Sequence, residues 1–350
     1  MILLRVNKSY ICIFAFNMTK HPVTIKDLAK ILGVSVSTVS RALKDHPDIS
    51  VKTKKAVQEL AKELHYRPNE IALSLKNRRS KIIGIIIPKL VHHFFSSVIQ
   101  GVENIAYDNG YQVMIYNSGE SYEREVLLSS SILSFRLDGL ILSMSKETTD
   151  FSHFDKFDQY GIPVVFFDRV PDLPVNKVVF DDFQGAFDAV SHLIEKGCKK
   201  IAHLSASEHL DIGRLRIAGY KAALNEHGIS FNPDLVVKCD TFDGAVSITK
   251  KLISDYQDID GVFAVNDLTG IGATKAVRQV GKRVPEDIKV IGFTNEISSA
   301  VCAPSLSTVD QRGIEMGEEA CKLLMENINK DQPPQTKVVK ANLILRKSSN

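Results

Sequence analysis

Apolar residues change their spacing once along the chain. Between Val23 and Tyr66 they recur at helical intervals, first as Ile25, Leu28, Ala29, Ile31 and Leu32, then Val39, Ala42 and Leu43, then Ala56, Val57, Leu60, Ala61 and Leu64. The pattern predicts three helices. Thr24 precedes IKDLAKIL and forms a capping box with Asp27, with Asp in place of Glu; Gly33 ends that helix. Ser35 caps a second helix from Val36 to about Lys44, and Ser50 a third from Val51 to about Leu64. Two helices on a tight Gly turn with a third closing the core describe a helix-turn-helix.

From Lys81 onward the apolar residues gather into unbroken runs of strand length: KIIGIIIP, YQVMIYN, LDGLILSM, IPVVFFD, KVVFDD, KKIAHLS, DLVVKCD, GVFAVND and DIKVIGF. Helical stretches separate them at 96–109, 121–134, 151–160, 182–196, 212–227, 242–256 and 267–280, and a last helix spans 312–329. Buried strands alternating with helices predict parallel sheets covered on both faces, and two such series predict two lobes. The expected fold is an all-α head followed by an α/β body of two lobes.

Charge separates the same parts. The chain carries +3, but residues 18–81 hold 14 Lys+Arg against 6 Asp+Glu, the first 17 residues add +2, and residues 82–350 are left at −7. A basic head on an acidic body is the mark of a head that meets a polyanion. Cys12, Cys198, Cys239, Cys302 and Cys321 are scattered, odd in number and without C-x-x-C spacing, which fits a reducing cytoplasm and neither a disulfide framework nor a zinc site. Arg5, Asn7, Lys8 and Ser9 interrupt the only apolar run near the N-terminus, well short of a membrane span, and no small-residue cleavage site follows. Residues 1–21 therefore read as an N-terminal extension, with Met18 as an alternative start. The head is 22–67, a linker 68–80 and the body 81–350.

A question hangs over GVSVSTVSRAL, residues 33–43, because hydroxyl residues are poor helix formers. If Val39, Ala42 and Leu43 face the core, Val36, Ser37, Ser40 and Arg41 face outward, and their small side chains let the helix sink into a DNA major groove. Arg41 could fork onto guanine, while Thr38 and the helix N-terminus suit phosphates. The plain alternative is a surface helix with solvated hydroxyls. In the linker, Asn69 caps a stretch from Glu70 to about Lys76, shorter than an isolated helix needs in water, so it requires a partner to form.

Open parallel sheets bind ligands beyond the carboxyl ends of their strands. That rule selects His92, His93, Phe94 and Phe95 after the first strand of the body, Asp168 and Arg169, Asn266 and Asp267, and Phe293, Thr294 and Asn295. Aromatic faces with carboxylate, amide and guanidinium groups suit a polyol ring. Each has a bland counterpart: Asp267 as a helix cap, Phe95 as core, and the adjacent His92 and His93 as loop residues.

The stretch VTIKDLAKILGVSVSTVSRALKDHPDISVKTKKAVQELAKELHYRPNEIALSLKNRRSKIIGIIIP resembles the head and linker of the lactose-repressor (LacI/GalR) family, and with the body the resemblance covers residues 22–347. It implies that Val36, Ser37 and Arg41 read bases and that the 68–80 segment pairs with its twin on the operator, with Ala72 and Leu75 at the positions that enter the minor groove. Arg78, Arg79 and Lys81 would sit near phosphates. Lys44 stands where the family usually has Asn, which makes a contact there electrostatic. The body resembles the periplasmic-binding-protein fold, with the chain crossing between lobes near 172, 304 and 332. Arg216 lies in GRLRIAGY, a segment that resembles the family's ligand-contacting stretch, which implies an effector contact there. Thr294 and Asn295 replace an Asp common in the family, and Phe242 or Asp240 is nearest to the position of a family aromatic.

The expected function is a cytoplasmic transcription regulator, a repressor, that binds a pseudo-palindromic double-stranded DNA operator as a homodimer and responds to a carbohydrate effector. Lobe closure on the effector would shift the dimer contact and the spacing of the two linkers. A sugar-binding protein of transport or sensing would need the body alone. An enzyme is disfavoured by the absence of a phosphate loop, of G-x-S-x-G and of metal-ligand spacing, and no cofactor or membrane partner is expected.

Overall fold

The computed structural model describes residues 2–6, 9–13, 23–67, 79–330 and 332–350. The chain divides between Ser80 and Lys81 into two units. Ahead of the head, β1 (Ile2–Val6) and β2 (Ser9–Ile13) pair antiparallel, with Leu4 opposite Ile11. The apolar spacing of the extension does not foretell that pairing.

In the head, α1 (Ile25–Leu32) begins at the capping box, in which Thr24 N–H donates to Asp27 Oδ2 (2.9 Å) and Asp27 N–H to Thr24 Oγ1 (3.4 Å). Gly33 then takes a left-handed conformation (φ 66°) that side chains with a Cβ resist. Ser35 accepts from Thr38 N–H at the start of α2 (Val36–Leu43), and Ser50 from Thr53 N–H at the start of α3 (Val51–Glu63). Leu28, Ala29, Val39, Ala42, Val57, Leu60 and Ala61 form the core. Ile31 and Ala56, expected on inner stripes, lie exposed at the edges of their helices. Lys54 Nζ bridges the turn after α2 by donating to both the carbonyl (3.0 Å) and the carboxylate (2.8 Å) of Asp45.

The body holds two six-stranded sheets. The first lobe contains β3 (Ile82–Ile87), β4 (Gln112–Asn117), β5 (Gly139–Leu142), β6 (Val164–Phe167), β7 (Asn176–Phe180) and β13 (Thr336–Val339), in the order β13-β7-β6-β5-β3-β4 and all parallel. The second contains β8 (Ile201–Ser205), β9 (Val236–Lys238), β10 (Gly261–Ala264), β11 (Lys289–Thr294), β12 (Ser307–Asp310) and β14 (Asn342–Ile344), in the order β14-β12-β11-β10-β8-β9, with only β14 antiparallel. Helices α4 (His93–Asp108), α5 (Tyr122–Ile132), α6 (Asp155–Gln159) and α12 (Gly313–Asn329) belong to the first lobe. The second has α7 (Asp182–Glu195), α8 (Asp211–Glu226), α9 (Phe242–Asp255), α10 (Asp267–Gln279) and α11 (Ile297–Val301). Helices α4 and α12 touch backbone to backbone at Gly101 and Gly317, where a Cβ on either would strike the other helix's carbonyl oxygens.

The three crossings lie downstream of where the sequence places them. Strand β7 pairs with β6 in the first sheet, so the chain leaves that lobe after Phe180 rather than near 172. It returns between Asp310 and Gly313 rather than near 304, and crosses last between Val339 and Asn342 rather than near 332. KVVF reads as a buried strand, but a buried strand carries no local sign of which sheet it joins. The link from β6 to β7 also lacks a helix, which breaks the alternation from which the crossing is inferred. Among the described residues no helix is long and apolar enough to cross a membrane.

Candidate functional site

The hydroxyl cluster of the head is an N-terminal cap extended into a small network. Ser35 Oγ lies 2.7 Å from Ser37 Oγ and 2.8 Å from Thr38 Oγ1, and accepts from Thr38 N–H at 3.1 Å. Hydroxyls that weaken a helix interior strengthen its first turn. Buried Val39 and Ala42 turn the opposite face outward, leaving Val36, Ser37, Arg41 and Lys44 exposed, with Thr38 and Ser40 half-buried beside them. The side chain of Arg41 makes no ion pair with any carboxylate among the described residues, and α2 carries no acid. Asn69, Ala72 and Leu75 lie outside the described residues.

In the body, a cavity of about 470 Å³ opens between the lobes at the carboxyl ends of their strands. Phe94, Phe95, Asp168, Arg169, Arg216, Asn266 and Thr294 all line it. Arg216, only 3 % exposed, is the most heavily braced: Nε and NH2 donate to Asp182 Oδ1 (2.8 and 2.7 Å), NH1 donates to the Val265 carbonyl, and the guanidinium lies 3.6 Å from the centroid of the Phe293 ring. Burial drives the Asp182 carboxyl up to about 6 against the pull of Arg216. Arg169 NH1 donates to Glu120 Oε2 at 2.7 Å, and its Nε lies 3.8 Å from Asp168 Oδ2. Asp168 has φ 58°, and burial raises its carboxyl above the usual carboxylate range against the pull of Arg169 and Arg216. Thr294, at φ 115°, donates from Oγ1 to Gln311 Oε1 (3.0 Å). A β-branched residue held there stores strain of about 1–3 kcal/mol, as binding sites often do.

Asp267 and Asn295 do not line the cavity. Asp267 sits beneath it, accepting from Thr308 Oγ1 and Glu296 N–H (2.6 Å each), and burial pushes its carboxyl up to about 7. The cap of α10 is its neighbour Asn266, whose Oδ1 accepts from Thr269 N–H at 2.8 Å. Asn295 turns away, accepting at Oδ1 from Arg346 NH2 (2.7 Å). Phe94 and Phe95 are both wall and core, nearly fully buried, so the expected open aromatic face is absent from them.

Comparison with known proteins places this architecture. Residues 24–69 match the model of bacterial regulatory proteins of the lacI family, and residues 190–349 that of a periplasmic binding protein-like domain. The ribose operon repressor of Halalkalibacterium halodurans is 34 % identical over 308 residues, which cover 88 % of this chain and 91 % of that protein. The chain belongs to the LacI family. CytR of Escherichia coli K12, a transcriptional repressor, is 32 % identical over 87 % of this chain and 89 % of its own. The lac repressor dimer bound to operator and an anti-inducer superposes with a TM-score of 0.84 at 26 % identity, covering 94 % of this chain and 99 % of that one. The regulator CelR in complex with cellobiose gives 0.72 at 28 %, covering 93 % and 99 %. As a LacI-family member the chain is a transcriptional regulator and not an enzyme.

The sequence does not single out several residues that build or brace the cleft of this LacI-family body. Asp182, which charge-balances Arg216, lies in the first turn of α7. His92, which the strand-end rule selects and which also reads as a plain loop residue, lines the cavity and reaches across to the second lobe, with Nε2 3.3 Å from Glu296 Oε1; burial lowers the ring's basicity below the ordinary histidine value. Lys146, His209, Lys238 and Asp240 line the mouth. Asp240 and Lys238 follow from the same rule applied to DLVVKCD, whereas Lys146 and His209 stand in loops with no local signal.

Proposed function

We propose that this chain represses transcription from a two-fold-symmetric operator as a dimer, works in the cytoplasm, and is switched by a neutral, hydroxyl-rich effector, a sugar or sugar derivative, held in the cleft. On DNA, Val36, Ser37 and Arg41 read bases, with Ser35, Thr38, Ser40 and Lys44 toward the backbone, and Asn69, Ala72 and Leu75 in the minor-groove segment. In the cleft, Asp168, Arg169, Arg216, Asn266 and Thr294 contact the effector.

What carries the effector reading is the charge balance of the deep end. Both guanidiniums there are committed to carboxylates, Arg216 to Asp182 and Arg169 to Glu120, while the carboxylate of Asp168 has only Arg169 Nε at 3.8 Å. A group of hydroxyls can donate to that carboxylate and accept from the spare guanidinium protons. A phosphate would have to compete with carboxylates already in place. The test is a thermal-shift screen of the full chain against ribose, cellobiose, other neutral sugars, sugar phosphates and nucleobases. A neutral sugar at a hundred times its dissociation constant should stabilise the body by about 2.7 kcal/mol; a shift with phosphorylated sugars or nucleobases alone would overturn the reading.

A further inference from the structure

Between Leu142 and Ser152 the chain leaves β5 and runs along the cleft side of the first lobe before α6. Two carboxylates hold this segment. Glu125 of α5 is fully buried and collects three donors: Ser145 N–H (2.7 Å), Thr148 Oγ1 (2.7 Å) and His153 Nε2 (3.1 Å). Glu120 accepts from Lys146 N–H at 2.9 Å with the same Oε2 that holds Arg169. A fully buried carboxylate is costly unless its lone pairs are filled, and here backbone, hydroxyl and imidazole fill them. The segment is therefore fixed to α5 by charge-assisted hydrogen bonds on both sides of Lys146.

Lys146 is also where the second lobe touches this segment. His209 Nε2 of the second lobe donates to the Lys146 carbonyl, which can only accept. The other ring nitrogen, Nδ1, then accepts from Ser207 Oγ at 2.7 Å in the neutral imidazole, which fixes the tautomer. Lys146 Nζ lies 3.7 Å from Asp240 Oδ2, also of the second lobe, as a weaker, solvent-exposed contact.

We infer that Lys146 and His209 form the clasp that holds the cleft mouth closed, and that Glu125, which touches neither the cavity nor the second lobe, is the positioning residue that sets the clasp. The inference rests on the effector reading only in naming what closure encloses. If Glu125 acted on the first lobe alone, its loss would loosen residues 143–154 and nothing more. If it sets the clasp, its loss must also loosen the turn that carries His209, where Leu210 N–H donates to the Ser207 carbonyl. By linkage the effect is reciprocal.

Hydrogen exchange by mass spectrometry on the full chain, with no effector and no DNA added, tests this separately from the effector reading. In Glu125→Gln, exchange should speed about ten- to a hundred-fold in both 143–154 and 206–212, the size expected for one lost charge-assisted hydrogen bond. In His209→Ala, an exposed substitution that leaves the first lobe's fold alone, the same acceleration should appear in 143–150. In the double variant, exchange in 206–212 should match that of His209→Ala alone. Acceleration confined to 143–154 in Glu125→Gln, unchanged exchange at 143–150 in His209→Ala, or additive effects in the double variant would each overturn the proposal. Should Glu125→Gln fail to fold, Thr148→Val removes one of its three donors and must give the same cross-lobe pattern at smaller amplitude.

Discussion

The outward face of α2 and the cleft of the body both present polar groups to a partner, yet they are built in opposite ways. The α2 face belongs to a single eight-residue helix: its first-turn hydroxyls bond to one another within three residues, and its arginine pairs with no carboxylate among the described residues. The cleft draws on the ends of strands from two sheets, and both of its arginines are paired with carboxylates before any ligand arrives. A surface that must meet phosphates gains from uncommitted cations, since each can displace counterions from DNA. A cleft that must tell one small molecule from another gains from charges already neutralised, because only a ligand of matching hydrogen bonds then avoids stranding a buried group.

The contrast is broken most severely at Asp182. Asp182→Ala leaves the Arg216 guanidinium buried without its carboxylate, and should destabilise the body by about 3–5 kcal/mol in urea unfolding. The head should melt unchanged, because its core is separate. Leu28→Ala does the reverse: it empties the centre of the three-helix core, costing about 2–5 kcal/mol there, with effector-induced stabilisation of the body retained. Circular dichroism at 222 nm with a separate tyrosine-fluorescence melt of the body distinguishes the two.

Titration gives a smaller difference with a definite sign. Burial raises Asp182 to about 6 and Asp267 to about 7, above the usual carboxylate range, so the folded body holds protons that the unfolded chain gives up. That stabilisation is complete below about pH 4 and is lost as pH rises through 6 and 7. His203, pushed down to about 4 by burial, acts the opposite way, its stabilisation being present above about pH 6.5 and lost as pH falls toward 4. Between about pH 6.5 and 8 the aspartates therefore dominate, and the urea midpoint of the body should fall. Asp267→Asn should flatten that fall, while lowering the midpoint at every pH because an amide cannot accept from both Thr308 and Glu296. An equally steep fall in the variant would remove Asp267 from the explanation. The head should show the smallest effect: Ser35→Ala removes the cap of α2 at about 1 kcal/mol in its melt, without altering the body.

How much could be read from the sequence follows the same division. The head was legible down to its caps, because Thr24, Ser35, Gly33 and Ser50 act on neighbours within three or four residues. Strand ends in the body were legible too, and they place the effector candidates Phe94, Phe95, Asp168, Arg169, Asn266 and Thr294 around the cavity. Which sheet a strand joins was not legible, since KVVF pairs with IPVVFF only after the chain has folded. Nor was the exchange of roles at Asn266 and Asp267, where either residue could cap and only the position of Thr308, some forty residues onward, decides. Asp182, Glu296, Lys146 and His209 were missed for the same reason: each owes its place to a partner distant in the chain.

One measurement decides whether head and cleft divide the work in this way. The full chain is used to select sites from a random double-stranded DNA library, and the enriched site is then titrated with the parent and with Arg41→Ala by fluorescence anisotropy. The expected site is an inverted repeat, bound at least about five-fold more weakly by Arg41→Ala, as the loss of about 1–3 kcal/mol of base discrimination requires. The stability of the variant should stay within about 0.5 kcal/mol of the parent, as for an exposed side chain. Failure to enrich any sequence, or equal affinity of the two proteins for the enriched one, would contradict the assignment of α2 as the face that reads DNA.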